Sequence, residues 1–128
     1  MEKKYRILVV DDDADFIKAT TIVLECQSYQ VLTASDGLEG LQVAKEERPD
    51  LILLDVIMPA KDGFSAAEQL KKDPDLSDIP VVMLTSFSQA RAGTAIAANK
   101  GLNLEAEDYL DKPINPDELL ACVKQFLK

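Results

Sequence analysis

The chain has 128 residues, 47% of them hydrophobic and 29% charged, with a formal net charge of -9. This length suits one domain around a single core, and the acidic balance argues against binding nucleic acid through this domain. No apolar run is long enough to span a membrane and no signal-peptide pattern follows Met1, so we expect a cytoplasmic protein. Cys26 and Cys122 lie far apart and histidine is absent. We therefore expect reduced cysteines and no zinc site.

Short apolar runs alternate with helical patterns along the chain. Five runs bounded by Asp, Gly and Pro predict strands at residues 5–10, 30–34, 51–57, 79–84 and 108–110. The patterns between them predict helices at about 15–25, 38–47, 64–72 and 89–100, and a last one after 115. Asn115 can cap this last helix, with Pro116 at its first position. In the second helix we expect one apolar, buried face that includes Leu38, Leu41, Val43 and Ala44.

The alternation of strands and helices determines the predicted fold class. It favours right-handed crossovers and a parallel sheet covered by helices on both faces. The first, third and fourth strands are almost continuously apolar, as strands buried on both faces should be. The second strand is more polar and the fifth is short, so we expect the second and fifth strands at the edges of the sheet. We predict an α/β fold with three layers (α/β/α), flavodoxin-like, with a five-stranded parallel sheet of order 2-1-3-4-5 and about five helices. Residues 1–128 would form a single domain.

One carboxylate, Asp55, interrupts the apolar stretch PDLILLDVIMP, where an unpaired charge would be costly to bury. Its partners must come from other strands. In a doubly wound sheet, ligands bind at the carboxyl ends of the strands, near the switch point between the first and third. Asp55 should therefore meet Asp11 and Asp12 from the first strand, Thr85 from the fourth and Lys112 from the fifth.

The residue types at this edge indicate phosphoryl chemistry. Close carboxylates repel one another unless a cation holds them, and an oxygen site with open positions suits Mg²⁺. Lys112 supplies a positive charge and Thr85 a hydroxyl, the two group types that neutralise and hydrogen-bond a phosphoryl oxygen. The edge therefore predicts a place for a phosphoryl group on a carboxylate.

Four motifs follow or end the predicted strands: ILVVDDD, LILLDVIMPAKDG, VVMLTS and DYLDKPI. Together they resemble the receiver domain of two-component response regulators, similar to the stand-alone chemotaxis-type receivers, over essentially the whole chain. The resemblance implies a signalling phosphoacceptor and not an enzyme. Such a domain takes a phosphoryl group from a sensor histidine kinase or phosphotransfer protein and signals to a downstream protein target or output domain. We expect no output domain within this chain.

The resemblance also implies roles for the residues that hold the metal. Asp55 would be the phosphoacceptor. Asp11 and Asp12 would be the acidic pair that holds Mg²⁺, Asp11 through water, and Asp55 and the backbone carbonyl of Ile57 would be further ligands.

Three residues of the fourth and fifth strands take roles by the same resemblance. Thr85 and Lys112 would contact the phosphoryl group. Tyr109 would be the aromatic switch that rotates inward when Thr85 moves. Because this chain has no histidine, the phosphoryl donor must be another molecule.

The sequence departs from the family pattern in two places. The segment between Thr85 and Lys112 is several residues longer than usual, with KGLNLEAED in place of a common GA, so output contacts are not carried over. The positions two after Asp55 and two after Thr85, which tune dephosphorylation in the family, are the apolar Ile57 and Phe87. We expect slow self-dephosphorylation, because neither can hold an attacking water.

Other function classes share parts of this pattern. A small Mg-dependent phosphatase of the haloacid-dehalogenase type also uses a strand-end Asp nucleophile, and Asp11 with Asp13 could imitate its DxD motif. Asp15, however, stands where Thr or Val is usual there. A flavodoxin-like electron carrier would need a Ser/Thr/Gly-rich phosphate loop, and DDDAD would repel the phosphate of FMN. A receiver-like scaffold that takes no phosphate is disfavoured, because all the residues expected in the phosphorylation site are present: Asp11, Asp12, Asp55, Thr85 and Lys112.

Overall fold

The computed structural model describes residues 4–55, 63–86, 108–112 and 114–127, and the side chains of 4–55, 68–84, 110 and 114–127. Five strands and four helices lie in this part of the chain. The strands are β1 (Arg6–Val10), β2 (Gln30–Ala34), β3 (Leu51–Asp55), β4 (Val81–Ser86) and β5 (Asp108–Lys112). The helices are α1 (Ala14–Glu25), α2 (Gly37–Glu47), α3 (Gly63–Lys72) and α4 (Pro116–Phe126).

The strands form one parallel sheet in the order β2-β1-β3-β4-β5. Strand β1 lies between β2 and β3, with Leu8 paired to Leu32 on one side and to Ile52 on the other. The predicted parallel α/β sheet and the order 2-1-3-4 of its first four strands are confirmed, and β5 pairs with β4. Residues 87–107, which include the helix predicted at about 89–100 and most of the lengthened segment, lie outside the described residues.

Two apolar layers cover the two faces of the sheet. Because successive side chains of a strand point to opposite faces, Leu8 of β1 joins one layer and Ile7 the other. The first layer includes Leu41 of α2 and Leu70 of α3. The second includes, from helices α1 and α4, the buried residues Leu24, Leu119 and Val123. Helices therefore pack on both faces, as the alternation of elements predicts.

Helix α2 differs from its predicted orientation. Leu38 is 57% exposed, so the prediction that it shares the buried face is wrong, whereas Leu41 is buried as expected. Gly37 and Gly40 are buried instead. A Cβ on Gly40 would lie 2.8 Å from Cγ2 of Val10, so the glycine lets α2 approach β1 closely. This close contact, which hydrophobicity alone does not reveal, determines the face that α2 buries.

The fourth strand begins two residues later than predicted. The Ile79 N–H donates to the Leu76 carbonyl at 3.0 Å, which keeps Ile79 in the turn that follows α3. Pro80 lacks an N–H for the ladder, although its carbonyl accepts from Ile52 N at 3.0 Å. The strand ends at Ser86, one residue past Thr85.

The remaining sequence expectations concern a helix cap, the cysteines and membrane spans. Asn115 caps α4 as predicted, since its side chain accepts from Asp117 N at 2.7 Å. Cys26 is exposed, Cys122 is buried, and neither is in a disulfide bond; their reduced state stays a prediction. Within the described ranges, no helix has the length and apolar character that crossing a membrane requires.

Candidate functional site

Three carboxylates meet at the carboxyl end of the central strands. Asp11 directly follows β1, Asp12 comes next, and Asp55 is the last residue of β3. One carboxylate oxygen from each lies within 4.8 Å of the other two. Asp11 is 0% exposed and Asp55 4% exposed, whereas Asp12 is open to solvent. The sheet therefore brings together the three acidic residues that the sequence predicts to converge.

The register of the strands causes this convergence. Val10 is paired with Leu54 across β1 and β3, so the next residue of each strand, Asp11 and Asp55, reaches the same edge. The Asp11 N–H donates to the Ala34 carbonyl of β2 at 3.1 Å. This bond continues the β1–β2 ladder by one residue and fixes the backbone of Asp11 at the sheet edge.

The carboxylate of Asp11 is held by the turn that follows it. Its Oδ1 accepts a hydrogen bond from the backbone N–H of Asp13 at 2.9 Å. This is an Asx turn, a local arrangement that Asp side chains favour at the start of turns. The bond orients the Asp11 carboxylate before any ligand is present.

Asp13 has a different task from its two acidic neighbours. Its Oδ1 accepts from Asp15 N at 3.0 Å and from Phe16 N at 3.3 Å, so it is the N-cap of α1. A carboxylate there satisfies helix N–H groups and lies favourably at the positive end of the helix dipole. Asp13 is not in the cluster of Asp11, Asp12 and Asp55. This engagement argues against a DxD phosphatase motif formed by Asp11 and Asp13.

The backbone places the other predicted residues on the neighbouring strands. Asp55 pairs with Leu84 of β4, and Thr85 is the next residue of that strand. Lys112 is the last residue of β5 and pairs with Ser86, while Tyr109 pairs with Met83. Thr85 and Lys112 thus lie at the same carboxyl edge as Asp55.

The side chains of Thr85, Tyr109 and Lys112, and all of Ile57 and Phe87, lie outside the described residues. The roles of these five residues therefore stay predictions.

The donor set has the chemistry of a hard divalent cation site. It offers carboxylate oxygens from Asp11, Asp12 and Asp55 within bridging distance of one another. Mg²⁺ prefers a few carboxylates and keeps open positions for water and phosphate oxygens. The exposure of Asp12 leaves such positions on the solvent side, so the residues present fit this ion.

Two features of the site were not predicted from the sequence: the cap by Asp13 and the bond from Asp11 to Ala34. The first has a local signal, since Asp at the start of a helical pattern is a preferred N-cap. The second depends on the pairing of β1 with β2, which only the folded sheet establishes.

Comparison with known proteins gives one consistent family. The response regulator receiver domain matches residues 7–124. The chain is 39% identical over 123 residues to the "DNA-binding dual master transcriptional regulator RpaA" of Synechocystis sp., covering 96% of this chain and 49% of that protein. It is 38% identical over 122 residues to "Protein PilH" of Pseudomonas aeruginosa, covering 95% and 97%.

A solved structure agrees with these relatives. The crystal structure of a response regulator from Chloroflexus aurantiacus J-10-fl superposes with a TM-score of 0.86 at 34% identity, covering 98% of each chain. The chain spans about half the length of the first curated relatives it matches. Its sequence, its fold and its acidic cluster agree, and the chain belongs to the response regulator receiver domain family, whose members are signalling phosphoacceptors.

Proposed function

We propose that Asp55 is the residue that accepts the phosphoryl group and that Mg²⁺ is held by Asp11, Asp12 and Asp55. The observation that carries this proposal is the meeting of the three carboxylates, with Asp55 buried at the end of β3. A buried carboxylate at the edge of a sheet, next to two others, is costly to keep ionised unless a cation or hydrogen-bond donors offset its charge. It is well suited to act as a nucleophile beside a cation.

The reaction is a transfer between two side chains. A carboxylate oxygen of Asp55 attacks the phosphorus of a phosphohistidine on another protein, the P–N bond breaks, and the histidine leaves with the electron pair. A bound Mg²⁺ would neutralise charge on the transferring oxygens. Asp11, oriented by its bond to Asp13 N, and the exposed Asp12 would hold that ion on the solvent side of Asp55.

Thr85, Lys112 and Tyr109 complete the proposed site. Lys112 would neutralise a phosphoryl oxygen and the Thr85 hydroxyl would bond another, which moves Thr85 and lets Tyr109 rotate inward. The backbone positions of Thr85 and Lys112 on β4 and β5 support this assignment. The carbonyl of Ile57 is assigned to the metal by the family resemblance alone. Moving such a switch from 1:99 to 99:1 requires about 5.5 kcal/mol.

The partners follow from the chemistry of the transfer. The donor is a sensor histidine kinase or a phosphotransfer protein, and the recipient of the signal is a downstream protein or an output domain. RpaA is named as a DNA-binding regulator about twice as long as the matched region, whereas PilH is matched over almost its whole length. Both arrangements suit a domain that signals through protein contacts.

The finer features of the fold belong to the same proposal. We assign residues 1–128 to one receiver domain with three layers, β5 at the sheet edge and a fifth helix at about 89–100. We also propose a cytoplasmic location, a reducing compartment in which Cys26 and Cys122 would stay as thiols.

The test is the intact mass of the protein after incubation with Mg²⁺ and acetyl phosphate. We expect an adduct of roughly 80 Da, one phosphoryl group, that requires Mg²⁺ and is absent from Asp55→Ala. Steady consumption of acetyl phosphate with no adduct would favour a phosphatase. If no adduct forms and no acetyl phosphate is consumed, and a purified histidine kinase also fails as donor, a scaffold would be favoured.

The lifetime of the adduct tests a second expectation. With Ile57 and Phe87 at the positions that orient water in the family, we expect the phosphoryl group to persist for minutes or longer in the isolated domain. Loss of the adduct within seconds in a mass-spectrometric time course would refute this expectation. The substitution Phe87→Glu should shorten the lifetime of the adduct, because a carboxylate at this position can hold the attacking water.

A further inference from the structure

The three consecutive residues Asp11, Asp12 and Asp13 make different contacts. Asp11 and Asp12 belong to the acidic cluster with Asp55. Asp13 lies outside the cluster, yet it is connected to Asp11 through its own backbone N–H, 2.9 Å from Asp11 Oδ1. One residue therefore joins the candidate metal site to the first turn of α1.

The side-chain Oδ1 of Asp13 bonds to helix α1, and its backbone N–H bonds to Asp11. Its side-chain Oδ1 accepts from Asp15 N at 3.0 Å and Phe16 N at 3.3 Å. These bonds hold the backbone of Asp13 in an extended conformation, with φ -94° and ψ 106°. That conformation determines the direction of the Asp13 N–H, and this N–H in turn holds the carboxylate of Asp11.

We infer that Asp13 is a positioning residue of the metal site: it orients Asp11 for cation binding without contacting the cation. This inference rests on the proposed function, because it assumes that Asp11 helps to hold Mg²⁺. Outer groups that orient a ligand carboxylate commonly change metal affinity by an order of magnitude or more when they are lost. The helix cap thus serves the site as well as α1.

A pair of variants separates the cap from the charge. Asp13→Asn and Asp13→Ala both remove one negative charge, but only Asn keeps a side-chain oxygen that can cap the helix. A purely electrostatic effect of Asp13 on the cation would be the same in both. A positioning effect should appear only in the alanine variant.

The measurement is the Kd for Mg²⁺, from isothermal titration calorimetry of each folded protein well below its unfolding temperature. We expect the Kd of Asp13→Ala to exceed that of Asp13→Asn by about threefold to tenfold. Hydrogen exchange of the residue 13 amide without Mg²⁺, followed by NMR, should be faster in Asp13→Ala than in Asp13→Asn. Equal Kd values in the two variants would overturn the inference, whatever their unfolding temperatures.

Wild type and Asp11→Asn show which idea has failed. If wild type binds Mg²⁺ and Asp11→Asn binds it much more weakly, the metal site stands and the comparison at Asp13 decides the inference. If wild type takes no Mg²⁺ at millimolar concentrations, the proposed metal site is wrong, and the positioning role of Asp13 is wrong with it.

Discussion

The carboxylates at the two ends of the parallel sheet have different neighbours. At the amino end, the Arg6 guanidinium lies 3.1 Å from Glu47 Oε1 and also donates to the Glu47 backbone carbonyl. The Arg6 N–H donates to Asp50 Oδ2 at 2.9 Å. At the carboxyl end, Asp11 and Asp55 lie with a third carboxylate inside 4.8 Å. The amino end pairs a carboxylate with a guanidinium, whereas the carboxyl end brings three carboxylates close to one another.

The difference separates stability from function. Opposite charges and N–H groups at the amino end attach the C-terminus of α2 to the first residue of β1. Like charges at the carboxyl end cost free energy until a cation arrives. We therefore expect substitutions at the amino end to change the free energy of unfolding, and substitutions at the carboxyl end to change ligand binding.

The largest expected effect is on metal affinity. Asp11→Asn removes a charged ligand but keeps the oxygen that accepts from Asp13 N. We expect its Kd for Mg²⁺ to rise by about 30-fold or more, roughly 2 kcal/mol. Asp50→Asn is the matched control at the other end of the sheet, and its Kd should stay within about twofold of wild type. Calorimetric titration measures both, and an equal loss in the two variants would mean that total charge, not a site, governs binding.

The second effect should appear in stability alone. Arg6→Ala removes the bonds from the guanidinium to the end of α2, and we expect the free energy of unfolding to fall by about 1 to 2 kcal/mol. Urea denaturation followed by circular dichroism measures this loss. Lys72→Ala is the control: its exposed pair with Glu68, at 4.0 Å, should contribute less than about 0.5 kcal/mol. A changed Mg²⁺ affinity in Arg6→Ala would contradict the separation of the two ends.

The smallest expected effect is a gain in stability. Without divalent ions, Asp55→Asn removes one of three neighbouring negative charges, and we expect the free energy of unfolding to rise by about 0.5 kcal/mol. Mg²⁺ should then stabilise wild type and not the variant, because only wild type has the full site. Urea unfolding in EDTA and in excess Mg²⁺ gives both differences. A less stable Asp55→Asn in EDTA would show that the carboxylates do not strain the fold.

Much of the site could be predicted because it lies at strand ends. The position of Asp55 at the end of an apolar run, and of Asp11 and Asp12 after another, follows from the order of residues. The convergence of these residues then follows from the topology of alternating strands and helices. The convergence of Thr85 and Lys112 with Asp55 was predicted in the same way, and the register of their backbones agrees.

The two errors have causes that the apolar pattern does not show, one a contact between distant residues and the other a local turn. Leu38 was expected inside, but the fit of Gly40 against Val10 buries another face of α2. The fourth strand was expected from Ile79, but a turn bond to Leu76 holds that residue outside the ladder. An apolar pattern does not distinguish a buried strand from an apolar turn beside it.

Patterns in the amino-acid sequence predict the class of fold, the order of the first four strands and the three acidic residues of the site. Hydrophobic periodicity and the residue types at strand ends are local properties, so they can be recognised without knowledge of the packing. The folded structure shows that Asp13 both caps α1 and orients Asp11, and that Asp11 and Asp55 are buried while Asp12 is exposed. Position before the helical pattern favours Asp13 as the cap, but the burial of Asp11 and Asp55 and the bond that orients Asp11 depend on distances between strands and turns.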